Sequence, residues 1–165
     1  MFKQILPEEF DKNVFSSIGK QWMLITAKKP DGSFNTMTAS WGGMGVLWNK
    51  NVFFCFVRPG RYTHEFTEES NEITLTFLMD EYKDAHKVCG SKSGRDCDKV
   101  AKSGLTPITD ENFVYFEQAE AVVFGKKLYT DKIKEDGFVG MDASKFYNND
   151  FHTIYVCEII KIIKK

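Results

Sequence analysis

The chain has 165 residues and a mass of 19.0 kDa, which suits one domain with its own core and is short for two. Apolar residues make up 42% and charged residues 27%, a composition that excludes a disordered chain. With 22 basic and 23 acidic side chains, the net charge of −1 lacks the basic excess typical of nucleic-acid binders and gives no reason for attraction to an anionic membrane. We therefore expect a single domain over 1–165 with neither nucleic acid nor membrane as a partner.

The amino terminus and the cysteines indicate a cytoplasmic protein with reduced thiols. The opening residues MFKQILPEEF lack the apolar run of a signal peptide, and no stretch reaches the ~18 apolar residues of a membrane span. Cys55, Cys89, Cys97 and Cys157 form no CxxC pair, which argues against a zinc knuckle or a thioredoxin-type motif. We expect a reducing cytoplasm, no disulfide and no metal site.

The amino-terminal half is predicted to form a helix, a hairpin and a buried strand. Pro7 suits the first turn of a helix, and apolar residues recur at helical spacing over 7–20. The segments 21–29 and 34–41 flank a Lys-Pro-Asp-Gly-Ser turn, which predicts a hairpin. A nearly continuous apolar run predicts a strand over 51–59.

The carboxy-terminal half alternates short helices with strands. Thr63, Asp80 and Asp96 are predicted helix caps, and Gly90 and Gly104 predicted stops. The expected elements are a helix over 64–70, a strand over 72–79, helices over 81–89 and 97–102, one or two strands over 112–130, an irregular segment over 132–150 and a final strand over 151–165. Because strands outnumber these short helices, the pattern favours a mainly β, closed antiparallel barrel over a doubly wound sheet.

Several common catalytic motifs are missing. No GxGxxG or GxxxxGK[ST] motif occurs, and GSKSG at 90–94 has Lys92 where a nucleophile elbow has serine. His64, His86 and His152 lie far apart in the sequence, so each is expected to be a surface or capping histidine. We therefore assign no catalytic residue.

The segment TMTASWGG, from Thr36, is the first candidate site. Its hydroxyl residues at 36, 38 and 40 project to one side of a strand, and the glycines after Trp41 permit a close approach of the backbone to a ligand. Two interpretations stay open at this point. One is a solvent-facing Thr/Ser row, and the other is a strand end that hydrogen-bonds the polar edge of a ring.

The segment VRPGRYTHEF, from Val57, is the second candidate site. Arg58 and Arg61 flank a Pro-Gly turn just before a predicted helix start, where free amides and guanidinium groups favour an anion such as phosphate. The alternative is a solvated turn with both arginines in surface ion pairs.

The segment CGSKSGRDCDK, from Cys89, is the third. A loop rich in Gly, Ser and Lys can supply amides, hydroxyls and charge to an anion. It can also be a helix end followed by a polar loop. A further interpretation makes Cys97 a reactive thiol, because Lys92, Arg95 and Lys99 are near it in sequence.

Taken together, these segments resemble a known family. TMTASWGGMGVLWNKNVFFCFVRPGRYTHEF, GSKSGRDCDK and the ending HTIYVCEI are similar to the flavoredoxin branch of the flavin reductase-like, FMN-binding split-barrel proteins. The resemblance extends from Trp22 to Ile159.

The resemblance implies a split antiparallel Greek-key β-barrel that forms a homodimer, with FMN held near the subunit interface. The implied flavin-lining residues are Met37, Thr38, Ala39, Ser40 and Trp41. The implied phosphate-binding residues are Arg58, Arg61, Tyr62 and Thr63, and the loop residues that would close over the phosphate or ribityl side are Ser91, Lys92 and Ser93. Arg95 and Lys99 are alternatives that would support this loop through ion pairs.

The implied activity is that of an FMN-dependent oxidoreductase that passes hydride from NADH or NADPH to the flavin. Such chemistry belongs to the cofactor, which agrees with the absence of a catalytic triad or carboxylate pair. Two alternatives stay open. One is an FMN electron carrier that serves a redox protein partner, and the other is a non-catalytic ligand-binding barrel.

Overall fold

A computed structural model describes all residues 1–165 and is dominated by ten strands. The strands are β1 Lys3–Ile5, β2 Met23–Lys28, β3 Phe34–Ala39, β4 Gly42–Leu47, β5 Lys50–Val57, β6 Glu72–Leu78, β7 Pro107–Asp110, β8 Phe113–Phe116, β9 Ala119–Lys132 and β10 Thr153–Lys164. The α-helices are α1 Val14–Ser16, α2 Tyr62–Glu69, α3 Ala85–Ser91 and α4 Lys99–Ser103. A π-helix at Ser17–Gln21 and 3₁₀ turns at Pro7–Glu9, Asp80–Tyr82, Glu135–Gly137 and Ala143–Lys145 complete the chain.

The main sheet is antiparallel throughout and open. Its strand order is β3-β2-β6-β9-β10-β5-β4, with β1 added on β10, while β7 and β8 form a separate hairpin. β3 and β4 are consecutive in the chain, separated only by Ser40 and Trp41, but they stand at opposite ends of this order and do not pair. The closed barrel favoured by the element pattern is therefore wrong, and the split barrel implied by the resemblance is confirmed.

The main core lies inside the curved sheet. Met23, Ile25, Phe53, Leu75 and Tyr155 are fully buried there, contributed by strands from across the sheet. β9 and β10 are the two longest strands, with 14 and 12 residues. Their pairing shifts register at Val156/Cys157 and at Ile159/Lys161, and such irregularities let the two strands bend around this core. Burial of these side chains is the main favourable term for the sheet.

A second apolar cluster covers the outer face of β2 and β6. Leu24 and Leu78 pack there against Ala85 and Cys89 of α3 and Phe116 of β8. α3 and the β7–β8 hairpin therefore act as a lid on the sheet's outer surface, and α3 also lies directly against β3.

The predicted amino-terminal helix over 7–20 is wrong in length. The Asn13 side chain accepts a hydrogen bond from the Ser16 amide at 3.0 Å, and this capping contact starts a new helix instead of continuing an old one. β2 starts at Met23 and not at residue 21, because Trp22 has a φ of +71° that interrupts the extended backbone.

Three predicted helix boundaries are also corrected. Arg61, and not Thr63, is the cap residue of α2, and Asp98, and not Asp96, caps α4 by accepting from the Ala101 amide at 2.9 Å. The region after Asp80 divides into a 3₁₀ turn and α3, and Gly90 lies inside α3. Gly104 ends α4 with a φ of +72°, as predicted.

The hairpin of β2 and β3 is confirmed, as are strands within 51–59, 72–79, 112–130 and 151–165. Three strands were not predicted: β1, β4 and β7. β4 begins Gly-Gly-Met-Gly, a composition with little strand propensity. Its path depends on the tertiary fold, because a Cβ atom at Gly42 would lie 2.8 Å from the Phe54 carbonyl oxygen of β5.

None of the helices has the length and apolar character needed to cross a bilayer.

Candidate cofactor cleft

A cleft of about 210 Å³ opens where β3 and β4 separate. We call it the β3–β4 cleft. Its lining residues are Met37, Thr38, Ala39, Ser40, Trp41, Phe56, Arg58, Arg61 and His152. The structure thus brings the whole predicted flavin-lining segment together with both predicted arginines, although they are about 20 residues apart in sequence.

The β3 edge supplies the polar wall of this cleft. β2 pairs with one edge of β3, from Met23 opposite Ala39, and no strand pairs with the other edge. An unpaired edge presents backbone donors and acceptors, which is the chemistry needed to bind the polar rim of a planar ring. The Thr38 hydroxyl is already used, because it donates to the His86 carbonyl oxygen at 2.7 Å and holds α3 against β3.

Arg58 joins the cleft to the irregular segment before β10. Its Nη1 donates to Asp150 Oδ2 at 2.5 Å and its Nη2 to the Phe146 carbonyl oxygen at 2.8 Å. The guanidinium also lies over the Tyr147 ring, 5.0 Å from its centroid. Arg58 is therefore a cation at the cleft wall whose charge is shared with a carboxylate.

Arg61 joins the same cleft to the end of α3. Its Nη1 donates to the Gly90 carbonyl oxygen at 2.9 Å, where the helix presents free carbonyl groups. Burial lowers the pKa of Arg61 from its ordinary value, but the guanidinium remains charged. Directly after it, the Tyr62 and Thr63 amides at the start of α2 have no acceptor within the chain.

His152 is a cleft residue that the sequence analysis missed. Its ring lies 5.4 Å from the Trp41 ring and 6.2 Å from the Phe56 ring, and its Nδ1 is 2.8 Å from the Tyr147 hydroxyl oxygen. Burial lowers the pKa of His152 to about 4, so the imidazole is neutral at pH 7. When the phenol donates to Nδ1, the ring proton is on Nε2 and is available as a donor. The motif HTIYVCEI contained this residue, but a histidine before a strand carries no signal of its own.

The other predicted site residues do not line the β3–β4 cleft. Tyr62 lines a second, larger cleft of about 670 Å³ together with Asn35, Gly94 and Cys97. Thr63 is buried, and its hydroxyl oxygen accepts from Asn35 Nδ2 at 2.8 Å.

The loop after α3 is held largely by its own hydrogen bonds. Ser91 Oγ donates to the Lys87 carbonyl oxygen at 2.7 Å, and Ser93 Oγ accepts from the Arg95 amide at 3.2 Å. Lys92 is exposed and its amino group has no ion-pair partner. Both serines therefore support the loop, and Lys92 is its free cation.

Two further cations stabilise this loop. Arg95 forms an ion pair with Glu65 of α2 and lies over the Tyr62 ring, 4.7 Å from its centroid. Lys99 is buried and donates to the carbonyl oxygens of Cys89 and Lys92 at 3.3 and 3.4 Å, and its burial lowers its pKa to about 8. The expected ion pair exists for Arg95, whereas Lys99 supports the loop through carbonyl groups.

These residues fit a ligand with a flat polar ring and an anionic tail. The unpaired β3 edge and the rings of Trp41, Phe56 and His152 suit the flat part. Arg61 and the two free amides of α2 suit an anion beside it. No group of three or more His, Cys, Asp or Glu side chains is placed to hold a metal ion.

The comparisons with known proteins agree with this fold. The sequence matches the family model described as flavin reductase like domain over residues 15–164. The chain therefore belongs to the flavin reductase-like family, as its motifs predicted. No curated protein sequence matches it significantly.

Solved structures of low sequence identity share the architecture. The flavoredoxin of Desulfovibrio vulgaris is 18% identical with a TM-score of 0.70, covering 98% of this chain and 77% of that one. An FMN-binding domain of a flavin reductase-like enzyme from Shewanella baltica is 14% identical with a TM-score of 0.69, covering 99% and 77%. The styrene monooxygenase flavin reductase of Pseudomonas putida is 12% identical with a TM-score of 0.62, covering 86% and 77%.

Proposed function

We propose that the chain binds FMN in the β3–β4 cleft and acts as an NAD(P)H-dependent flavin oxidoreductase. The observation that supports this most is the open split between β3 and β4. There an unpaired strand edge, aromatic side chains and arginines line one cleft. Family membership gives the same expectation.

The proposed roles of the residues follow from their contacts. Backbone groups of Met37–Trp41 hydrogen-bond the pyrimidine edge and orient the ring, while Trp41 and Phe56 exclude water from one side. Arg61, Arg58 and the amides of Tyr62 and Thr63 hold the phosphate, and Lys92 adds a cation from the loop after α3. Bound FMN supplies the hydride and single-electron chemistry, with NADH or NADPH as the proposed donor.

The His152–Tyr147 pair has a proposed orienting role. A neutral imidazole that accepts from Tyr147 at Nδ1 holds its Nε2 proton toward the occupant of the cleft. Such a donor can bind a carbonyl group without adding a positive charge to the cleft.

The second candidate is a flavoredoxin-type electron carrier that exchanges electrons with a redox protein partner. A carrier would bind FMN in the same cleft and needs no nicotinamide site. The structural similarity to a flavoredoxin supports only the common fold.

The visible absorption spectrum of the purified protein, recorded before and after anaerobic addition of NADH or NADPH, tests both candidates. If the flavin absorption bleaches at a catalytic rate after NADH or NADPH is added, the result supports the oxidoreductase. A flavin spectrum that nicotinamide leaves unchanged, but that a reduced carrier protein bleaches, supports the electron carrier. A colourless protein that fails to bind added FMN contradicts both and favours a non-catalytic binding barrel.

We also propose that the working unit is a homodimer. Ligand sites for molecules of this size usually enclose about 300–1,000 Å³, more than one chain's β3–β4 cleft provides. Trp48 and Tyr129 form an exposed edge-to-face pair with centroids 6.2 Å apart, and Val46 is also exposed. A second copy that covers these side chains would enlarge the enclosed cleft and bury apolar surface.

A further inference from the structure

β4 is the last strand of the main sheet, and one of its two edges is unpaired. The strand pairs only with β5, from Gly42 opposite Cys55 to Leu47 opposite Lys50. Its other edge has no backbone partner within the chain. The free edge of β3 lines the proposed flavin cleft, whereas the free edge of β4 has no role there.

The turn between β4 and β5 shows which backbone groups of β4 face outward. Trp48 and Asn49 form this two-residue turn with φ of +52° and +58°, so Leu47 and Lys50 are the pair that closes the hairpin. In an antiparallel ladder every second residue directs both its N–H and its C=O toward the paired strand. Leu47 serves β5 in this way, and the alternate residues direct their backbone groups outward. These outward-facing residues are Gly42, Met44 and Val46.

The free edge is accessible and unprotected. Gly42 is exposed, Met44 is half-buried and Val46 is 72% exposed. Natural edge strands usually carry charged side chains, a proline or a bulge, which prevents pairing with another chain. Residues 35–49 include neither a charged side chain nor a proline, although charged residues make up 27% of the chain. The β4–β5 ladder has no register shift either, so the edge is a regular template for another strand.

A groove of about 580 Å³ lies beside the start of β4 and gives an added strand room for its side chains. Its walls come from the segment 13–19 on one side and from residues 40–44 on the other. Phe15 is 88% exposed and Trp41 is 45% exposed at these walls. No charged residue lines the groove, so it suits the apolar side chains of an uncharged strand.

The edge of β4 is complementary to itself. Antiparallel pairing of two β4 strands about a two-fold axis at Met44 places Gly42 of one copy opposite Val46 of the other. A residue without a side chain then faces a branched one. Each outward-facing residue donates one hydrogen bond and accepts one, which gives about six between the copies. Because both strands are uncharged, no like charges meet across the pair.

We propose that two copies of the chain join edge to edge through β4, and that each copy completes the flavin cleft of the other. The same register, continued past the strand ends, places Trp48 of one copy opposite Ser40 of the other. Ser40 lines the β3–β4 cleft, so Trp48 of the second copy covers the open side of that cleft. The inference rests on the homodimer proposed above and specifies its interface.

Sedimentation of the FMN-free chain over a concentration series tests the pairing. Val46→Pro removes one outward-facing N–H, and an edge strand tolerates proline where that N–H faces solvent. We expect it to raise the dimer dissociation constant at least tenfold. Val46→Thr is the matched control, because it keeps the N–H and the branched side chain and should stay within about threefold of the native chain.

Disulfide cross-linking tests the register independently, in a chain whose half-buried Cys97 is replaced by serine. Two Met44→Cys copies would have Cα atoms about 5.5 Å apart, within the range of a disulfide. Mild oxidation should therefore link them into a covalent dimer. Leu47→Cys is the control, because the same register separates its two copies by about 20 Å, and it should stay unlinked.

The outcomes separate this interface from the proposed flavin chemistry. A monomeric native chain, an equal loss of dimer in Val46→Pro and Val46→Thr, or a dimer in which Met44→Cys stays unlinked would each overturn the pairing. Since these measurements need no flavin, a β4-linked dimer that binds no FMN contradicts only the proposed function. If FMN binds, Val46→Pro should weaken it at least fivefold, and native FMN affinity in a monomeric Val46→Pro chain would overturn the role of Trp48.

Discussion

Arg58 has two chemically different uses, and variants can separate them. It is paired with Asp150 at 2.5 Å in the chain, yet its position at the cleft suits a phosphate. We expect Arg58→Ala to weaken FMN tenfold to a hundredfold and riboflavin little, because a hydrogen bond to a charged group contributes about 1.5–3 kcal/mol.

Asp150→Asn is the matched control, since it releases Arg58 from its ion pair without removing the cation. It should leave FMN binding equal to or tighter than that of the native chain in a fluorescence titration. An equal loss of FMN and riboflavin affinity in both variants would show that Arg58 only tethers the segment before β10.

The buried histidines predict that stability declines in mild acid. Burial lowers the pKa of both His86 and His152 to about 4, whereas an unfolded histidine titrates near 6.5. The unfolded state therefore binds more protons between pH 6.5 and 4, and the free energy of unfolding falls as pH drops through that window.

We expect each histidine to contribute a loss of about 2 kcal/mol between pH 7.5 and pH 5 in urea unfolding. His152→Gln should remove about half of the combined loss of unfolding free energy that the two histidines cause. His64, whose pKa burial lowers less, provides a comparison through His64→Gln. A free energy of unfolding that is constant over this range would contradict the burial of both rings.

At the scale of the elements, the contact between β9 and β5 depends on one glycine. A Cβ atom at Gly125 would lie 2.1 Å from Phe53 Cε1 and 2.8 Å from Cys157 Cβ. Phe53 is fully buried and cannot move without disturbing the main core. We expect Gly125→Ala to lower the free energy of unfolding by about 1–3 kcal/mol or more, measured by denaturant titration.

Gly137→Ala is the matched substitution at a position where a Cβ atom meets nothing within 4 Å. It should change stability by no more than about 0.5 kcal/mol. A similar stability of the two alanine variants would mean that β5 and β9 pack less closely than the structure shows.

Element types were predictable where the local pattern was strong. The β2–β3 hairpin carries its own turn chemistry, β6 alternates threonines with apolar residues, and β10 is mostly apolar. β4 was not predictable, because Gly42 and Gly43 fit the close approach of Phe54 and contribute little strand propensity. The cap of α2 was misplaced because the Thr63 hydroxyl serves Asn35, a residue 28 positions earlier.

At the scale of the whole molecule, the proposed dimer is the property most open to test. Light scattering at micromolar concentration should return twice the chain mass of 19.0 kDa. Trp48→Lys places a charge on the exposed aromatic pair and should shift the mass toward the monomer and weaken FMN in parallel.

Val139→Lys tests whether any loss of exposed apolar surface has the same effect, since Val139 is 93% exposed and belongs to the segment between β9 and β10, outside the Trp48–Tyr129 pair. It should leave the dimer intact. A native chain that scatters as a monomer would refute the homodimer.

The sequence by itself determined the family, the mainly β character and the segments that line the β3–β4 cleft, because these depend on local periodicity and on motifs of contiguous residues. Only the tertiary structure decided that β3 and β4, two residues apart in the chain, lie at opposite ends of the strand order. The same holds for the contact of His152 with Trp41 in the cleft wall and for the ion pair of Arg58 with Asp150. The tertiary structure likewise left His86 Nδ1 without a partner beside Trp22. The physical reason is that each of these features joins residues distant in sequence, whose meeting depends on the packing of the whole sheet and leaves no periodic trace in the chain.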